Sequence, residues 1–374
     1  MKKILLFVLA LPVLLIAYLL IKPSPIKPVN WQPPMSEGLV GGFAENNRLS
    51  QFDVADLPND YGPESMALGP DGLVYAATHS GAIYRFEPNN PKPEKFVQTQ
   101  GRILGIDFHP DGRLIAANAM HGLMAVSPAG EVSTLLPADG APKLAYSNSV
   151  AVANNGDIYF TNSSQRWGAE ALGDTFIAST FDIMEHRPSG ELFVWTAIAQ
   201  QNGQPPEVML SDLCFANGVA FDDDENLFVA ETCMYRIWQV NKTTRGVSAP
   251  ELVDQKNDQA WPIFENLPGF PDNLTKGRDG RVWAGLVKPR SPIVDGLADK
   301  AWVRAALFNL PPGMQPIPPH YSHVFAFMHN GEVVNNLQDP TLAVPTATGL
   351  LETDDRWYIQ SLTGDGLIWV SPQK

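Results

Sequence analysis

Asn148-Ser-Val-Ala-Val-Ala-Asn-Asn-Gly-Asp-Ile-Tyr-Phe-Thr161 reads as a strand, a tight turn and a second strand. Apolar residues recur two and four places after Asn148, the alternation of a strand with a buried face. Asn155-Gly156 supplies the positive φ of a short hairpin. The same unit returns along the chain, with an oxygen-bearing side chain seven residues before the turn. Glu64 precedes Asp71-Gly72, Asn217 precedes Asp224-Glu225, and Asp272 precedes Asp279-Gly280. Two further units carry Leu104 and Thr348 at that place. Six units of one form predict an all-β, six-bladed β-propeller. An all-β sandwich or barrel is the alternative. A third strand follows several units, for example Arg236-Ile-Trp-Gln-Val240. The segment 38–53 is expected to supply the outer strand of the last blade and close the ring.

If the blades share one register, the side chains at the first position of each unit converge on the central axis. Glu64 and Asp272 bring carboxylates, and Asn148 and Asn217 bring neutral carbonyl oxygens, with Asn273 as a further candidate. Neither cysteine nor histidine occurs at these places. An all-oxygen set with two carboxylates suits Ca²⁺, which accepts six to eight oxygens in loose geometry, better than Mg²⁺. A ring of satisfied polar groups without an ion is the alternative. An open cation at a cavity floor can polarise a carbonyl or phosphoryl oxygen. Asp272 or Glu64 would then be the catalytic base or nucleophile. The seven histidines show no metal-ligand spacing, and neither Gly-x-Ser-x-Gly nor a phosphate loop is present.

The first residues differ from the rest. Met1-Lys2-Lys3 precedes an apolar run, Ile4–Ile21, that reaches the lower limit for spanning a bilayer. Lys22-Pro-Ser-Pro is a poor cleavage site, so residues 1–21 read as a transmembrane signal anchor in contact with the lipid bilayer rather than a cleaved peptide. The body is then extracytoplasmic. Residues 22–35, with five prolines, read as a stiff tether, and 36–374 as the propeller. Cys214 and Cys233 fall on opposite sides of one hairpin, so a disulfide is sterically allowed, with two reduced thiols as the alternative. An insertion in blade five, 287–321, carries a helical pattern over Asp299–Leu310 that would turn Trp302, Val303, Ala306 and Leu310 to the pocket or the propeller top. The formal net charge of −14 excludes nucleic acid as a partner.

Gly101-Arg-Ile-Leu-Gly-Ile106, Asp157-Ile-Tyr-Phe-Thr-Asn-Ser-Ser-Gln-Arg-Trp167, Phe215-Ala-Asn-Gly-Val-Ala220, Leu267-Pro-Gly-Phe-Pro-Asp-Asn-Leu274 and Leu337-Gln-Asp-Pro340 together resemble the strictosidine synthase-like family. That family, which includes the adipocyte plasma membrane-associated type, sits with the paraoxonases and the senescence-marker/gluconolactonase proteins. The resemblance runs from about Glu37 to the end. It implies a central Ca²⁺ on Glu64, Asn148, Asn217, Asp272 and Asn273. It also marks departures. Leu104 stands where paraoxonase-like enzymes place a catalytic histidine. Ser65 and Ser149 stand where they hold a second calcium with acids. Pro345–Leu351 lacks the glutamate of true strictosidine synthases. The expected function is a calcium-dependent esterase or lactonase acting on a small, fairly apolar molecule. The alternatives are a non-catalytic, calcium-stabilised binding propeller and a condensing lyase.

Overall fold

The computed structural model describes residues 18, 19, 21–253, 258–315 and 317–372. The described strands form six sheets arranged as successive blades. Blade three shows the plan. Ser147–Val152 lies innermost, Ile158–Asn162, Gly190–Trp195 and Glu207–Leu213 follow, and in this blade the short strand Val247–Ser248 pairs parallel at the outer edge. The inner strands of the other blades are Ser65–Leu68, Ile103–Phe108, Ala216–Phe221, Gly269–Lys276 and Ala347–Glu352. The ring closes when Asp53–Asp56 pairs antiparallel with Gly366–Val370, Asp53 opposite Trp369. The closing strand thus begins where the expected segment ended. Residues before it run along blade five, where Leu49 N–H donates to the Gln338 carbonyl at 3.0 Å.

The repeat predicted one buried face per strand, but the middle strands are buried on both. Leu227–Glu231 and Ile158–Asn162 are buried at every residue, because each blade lies between two others. Outer strands such as Val132–Pro137 are largely exposed. The close approach of blades explains small residues after the axial position. A Cβ on Gly218 would stand 2.1 Å from the Leu274 nitrogen and 2.5 Å from the Asp272 oxygen.

A second local device aims the axial side chains. In blades two to six the ladder between the first two strands slips at the key position. The slips lie between Ile103 and Gly105, Ser147 and Val150, Ala216 and Val219, Pro271 and Leu274, and Ala347 and Gly349. Each bulge frees Leu104, Asn148, Asn217, Asp272 or Thr348 from regular alternation, which lets it point along the channel.

Cys214 and Cys233 are joined as a disulfide at the two ends of the blade-four hairpin. In blade five the chain between Val282–Pro289 and Ser322–Phe327 forms two short helices, Pro292–Gly296 and Ala301–Leu307. Trp302 does not face the pocket; it is 67% exposed, whereas Arg304 is buried and donates to the Met184 carbonyl at 3.0 Å.

Most of the apolar run read as a membrane anchor lies outside the described residues. Among those described, no helix is long and apolar enough to cross a membrane. Residues 22–35 are extended but do not hang free. Ile26 is buried among Met184, Phe308, Trp167 and Phe181. Lys27 N–H donates to Glu185 Oε1 at 2.8 Å, Val29 N–H donates to the Glu185 carbonyl at 3.0 Å, and Trp31 stacks on His186 at 3.9 Å. The tether is a strap laid over one end of the propeller.

Gly218→Ala is expected to destabilise the protein by on the order of 3 kcal/mol through backbone collision between blades four and five. Denaturant unfolding checks this, and a midpoint equal to wild type would contradict the packing described.

Candidate metal centre

Four of the five predicted residues meet at one end of the channel. Glu64, Asn148, Asn217 and Asp272 line the floor of a cavity of about 100 Å³. All four are at most 5% exposed. Asn273 is not with them. Its side chain lines the polar cavity of about 410 Å³ at the opposite end, and its amide donates to the Glu64 carbonyl at 2.8 Å. The bond to the Glu64 backbone holds the Asn273 side chain away from the floor that Asp272 lines.

The two axial asparagines are held by the same construction. Asn148 Nδ2 donates to Ser163 Oγ at 2.8 Å, and Ser163 donates to the Ala216 carbonyl at 2.6 Å. Asn217 Nδ2 donates to Thr232 Oγ1 at 3.1 Å, and Thr232 donates to the Pro271 carbonyl at 2.7 Å. Each hydroxyl spends its proton on the next blade and so can only accept from the amide. That fixes which amide atom turns inward. Among the described residues, Asn148 Oδ1 and Asn217 Oδ1 are buried with no hydrogen-bond partner. Orphaned acceptors of this kind are costly unless a cation meets them.

The carboxylates carry the charge for that cation. Burial raises the pKa of Asp272 well above its ordinary value, and the nearby Glu64 adds to the rise, with Arg102 opposing. Burial likewise pushes Glu64 up, opposed by Arg102. A divalent ion on the axis would oppose both rises by favouring the charged carboxylates. Two carboxylates and two free amide oxygens match the donor chemistry of Ca²⁺.

Arg102 was not foreseen as part of the site. Its Nη2 donates to Glu64 Oε2 at 2.6 Å and its Nη1 to Thr175 Oγ1 at 3.1 Å, with both partners buried. The guanidinium offsets one of the two negative charges and ties the axis to the helix above it. Spacing alone gave no sign of this, because Arg102 lies two residues before a position filled by Leu104.

The roof was also missed. It is an insertion in blade three, the helix Thr175–Glu185, capped by Asp174 accepting from the Ile177 N–H at 2.8 Å. Thr175, Phe176, Ser179, Thr180, Ile183 and Met184 line the cavity from it. Phe215, Phe270, Val287, Val294 and Ile317 complete walls that are mainly apolar. The cue was Asp174 ahead of a run with apolar residues at 176, 177, 181, 183 and 184. Among the described residues, no histidine lines the cavity. His79 stacks on Tyr61, and burial lowers His186 to about 3 and His323 to about 4. Leu104 packs in a buried cluster with Tyr146 and Phe215.

The SMP-30/Gluconolactonase/LRE-like region profile matches residues 71–292, and the Strictosidine synthase-like, N-terminal profile matches residues 41–86. The chain is 30% identical to adipocyte plasma membrane-associated protein of Danio rerio over 359 residues, 89% of this chain and 80% of that one. The chain belongs to this family. Within it, strictosidine synthase-like protein 4 of Arabidopsis thaliana is 31% identical over 233 residues, 60% of this chain and 56% of that one. The propeller is shared with a gluconolactonase from Xanthomonas campestris (TM-score 0.57, 15% identity, 94% of this chain and 99% of that one). It is also shared with a calcium-binding regucalcin from Agrobacterium tumefaciens (TM-score 0.55, 11% identity, 85% and 92%). At such identities the likeness concerns the fold alone.

Calcium added to the metal-stripped full-length protein is expected to raise its melting temperature, by about 2.7 kcal/mol of stabilisation at a hundredfold excess over Kd. Asn217→Leu and Asp272→Asn should abolish the shift and Asn273→Ala should keep it; a shift lost only in the last would refute the assignment.

A second expectation concerns the roof. Burial raises Asp182, on the roof helix, to about 7, with Ser164 and Arg166 only partly opposing. A carboxyl raised in the fold stabilises most at low pH, and that contribution is lost as pH rises from about 4 through about 7. Asp182→Asn should therefore melt above wild type at pH 8, by at least about 2 °C, and show no such gain at pH 4. Equal shifts at both pH values in thermal melts would contradict this.

Proposed function

We propose that this chain is a membrane-anchored, calcium-dependent hydrolase of esters or lactones. The observation that carries the reading is the pair of orphaned asparagine oxygens beside two buried carboxylates, at the floor of an apolar cavity. Glu64, Asn148, Asn217 and Asp272 would hold the Ca²⁺, and the bound ion would supply Lewis-acid polarisation of a substrate carbonyl.

The chain's own groups supply the rest. The apolar walls exclude water and select a small molecule with little polar surface. Arg102 holds Glu64 in place through a charge-assisted hydrogen bond. Asp272 is the axial carboxylate without a guanidinium partner of its own, so it is the group left to take a proton from an attacking water or to attack directly. In a direct attack the Asp272 carboxylate forms an anhydride with the acyl group as the ester C–O bond breaks and the alkoxide takes a proton from water; the hydroxide so formed cleaves the anhydride, releasing the acid and the Asp272 carboxylate. In either route the alcohol oxygen leaves with one proton.

The family's membrane-associated relatives and the Ile4–Ile21 run support anchoring in a bilayer. The Cys214–Cys233 disulfide supports an oxidising compartment for the body. A second reading, a binding propeller in which calcium is structural, has one observation in its favour: no imidazole lines the cavity among the described residues.

Hydrolysis of short-chain aryl esters and of lactones by the full-length protein decides between them. The hydrolase reading expects turnover that a chelator removes and calcium restores. Asp272→Asn should lower kcat by at least about 100-fold. Calcium binding without turnover on any member of the panel would leave the binding propeller instead.

A further inference from the structure

The roof helix and the helix Pro292–Gly296, which line the cavity, and the blade-five segments beside them carry exposed apolar side chains. Phe176 and Ile177 stand on the roof helix, Ile293 on Pro292–Gly296, Trp302 on Ala301–Leu307, and Met314 on the loop leading to Ile317. Phe176, Val294 and Ile317 from the same elements line the cavity itself. A large apolar rim around one opening is unusual in a water-facing surface and marks something that covers it.

The chain itself says what lies there. Its 18-residue apolar run ends at Ile21, and Ile26 is already buried beneath the roof helix. Five residues span at most about 17 Å. The spacing is tighter still, because Asn309 Nδ2, just past the helix Ala301–Leu307, donates to the carbonyls of Leu19 and Lys22 at 3.2 and 3.0 Å. A membrane entered by that run therefore lies directly against the rim. Tyr18, 56% exposed, and Trp302 are the residue types that settle at a lipid–water boundary. The strap is bonded to the roof helix at Glu185 and to Arg304, so the propeller cannot swing away without breaking those contacts.

We propose that the mouth of the cavity is seated on the lipid surface, with Phe176, Ile177, Ile293, Trp302 and Met314 dipping into its outer layer, and that the cavity is loaded from the bilayer. The proposal rests on the hydrolase reading only for the class of substrate, an ester or lactone of an apolar molecule that partitions into membranes.

The test uses the full-length protein in phosphatidylcholine nanodiscs. Both native cysteines are in the disulfide, so an introduced cysteine can be labelled alone with an environment-sensitive fluorophore. Labels go on Ile293→Cys and Trp302→Cys at the rim. Controls go on Val132→Cys and Ile198→Cys, exposed apolar positions at the opposite end. All four are surface sites, and variants are compared only when they melt with wild type. Doxyl-labelled lipid is expected to dim both rim labels at least about twofold and leave the controls unchanged, since interfacial side chains sit about 5–10 Å into the head-group boundary. Equal dimming at rim and controls would overturn the proposal. So would rim labels shielded from aqueous iodide yet untouched by doxyl lipid, which would mean that a second copy or another protein covers the rim. Ester hydrolysis is measured separately. Its absence with a dimmed rim removes the hydrolase reading and leaves the docking, whereas turnover with an undimmed rim does the reverse.

Discussion

Two amide oxygens with nothing to bond, facing two buried acids, are the constraint around which the rest of this molecule is arranged. The propeller brings inner strands from separate blades to one axis. Bulges in blades three, four and five turn Asn148, Asn217 and Asp272 out of the strand's alternation and along the channel, while Glu64 stands just before its strand. The hydroxyls of Ser163 and Thr232, committed to carbonyls of the next blade, then dictate that the amide nitrogens face outward and the oxygens inward. The blades' own packing thus orients the donors, so blade contact and ligand geometry cannot be separated.

Arg102 sets the charge of this centre. Two carboxylates alone would present −2 to a bound cation; the guanidinium at 2.6 Å from Glu64 brings the group close to −1. That tempers the attraction for a divalent ion and keeps Glu64 from moving freely. The same side chain reaches Thr175 at the start of the roof helix. From there the contacts continue through Glu185 to the strap and toward the apolar run. Roof, axis and the strap of residues 22–35 are linked by hydrogen bonds.

Much of this was legible in the chain. The seven-residue offset between Glu64, Asn148, Asn217 or Asp272 and its hairpin turn is a local regularity, so it gave both the blades and the axial residues. Asn273 was misplaced because its amide is committed to the Glu64 carbonyl, 209 residues away in sequence, a contact that spacing does not reveal. Ser163 and Thr232 each lie fifteen residues after the asparagine they hold, a signal that was present but unread. Arg102 and the strap had no periodic mark. Their roles depend on contacts between segments distant in sequence, 73 residues from Arg102 to Thr175 and 158 from Lys27 to Glu185. The roof helix was obscured by its β-branched Thr175, Ile177, Thr180 and Ile183, which weaken a helical reading that burial over the cavity overrides.

Anomalous diffraction from crystals of the full chain grown with calcium tests the central claim most directly. The account predicts one peak on the axis, with oxygens of Glu64, Asn148, Asn217 and Asp272 at about 2.3–2.6 Å from it. A featureless axis, with the two asparagine oxygens bonded to water and a proton shared between the acids, would contradict it.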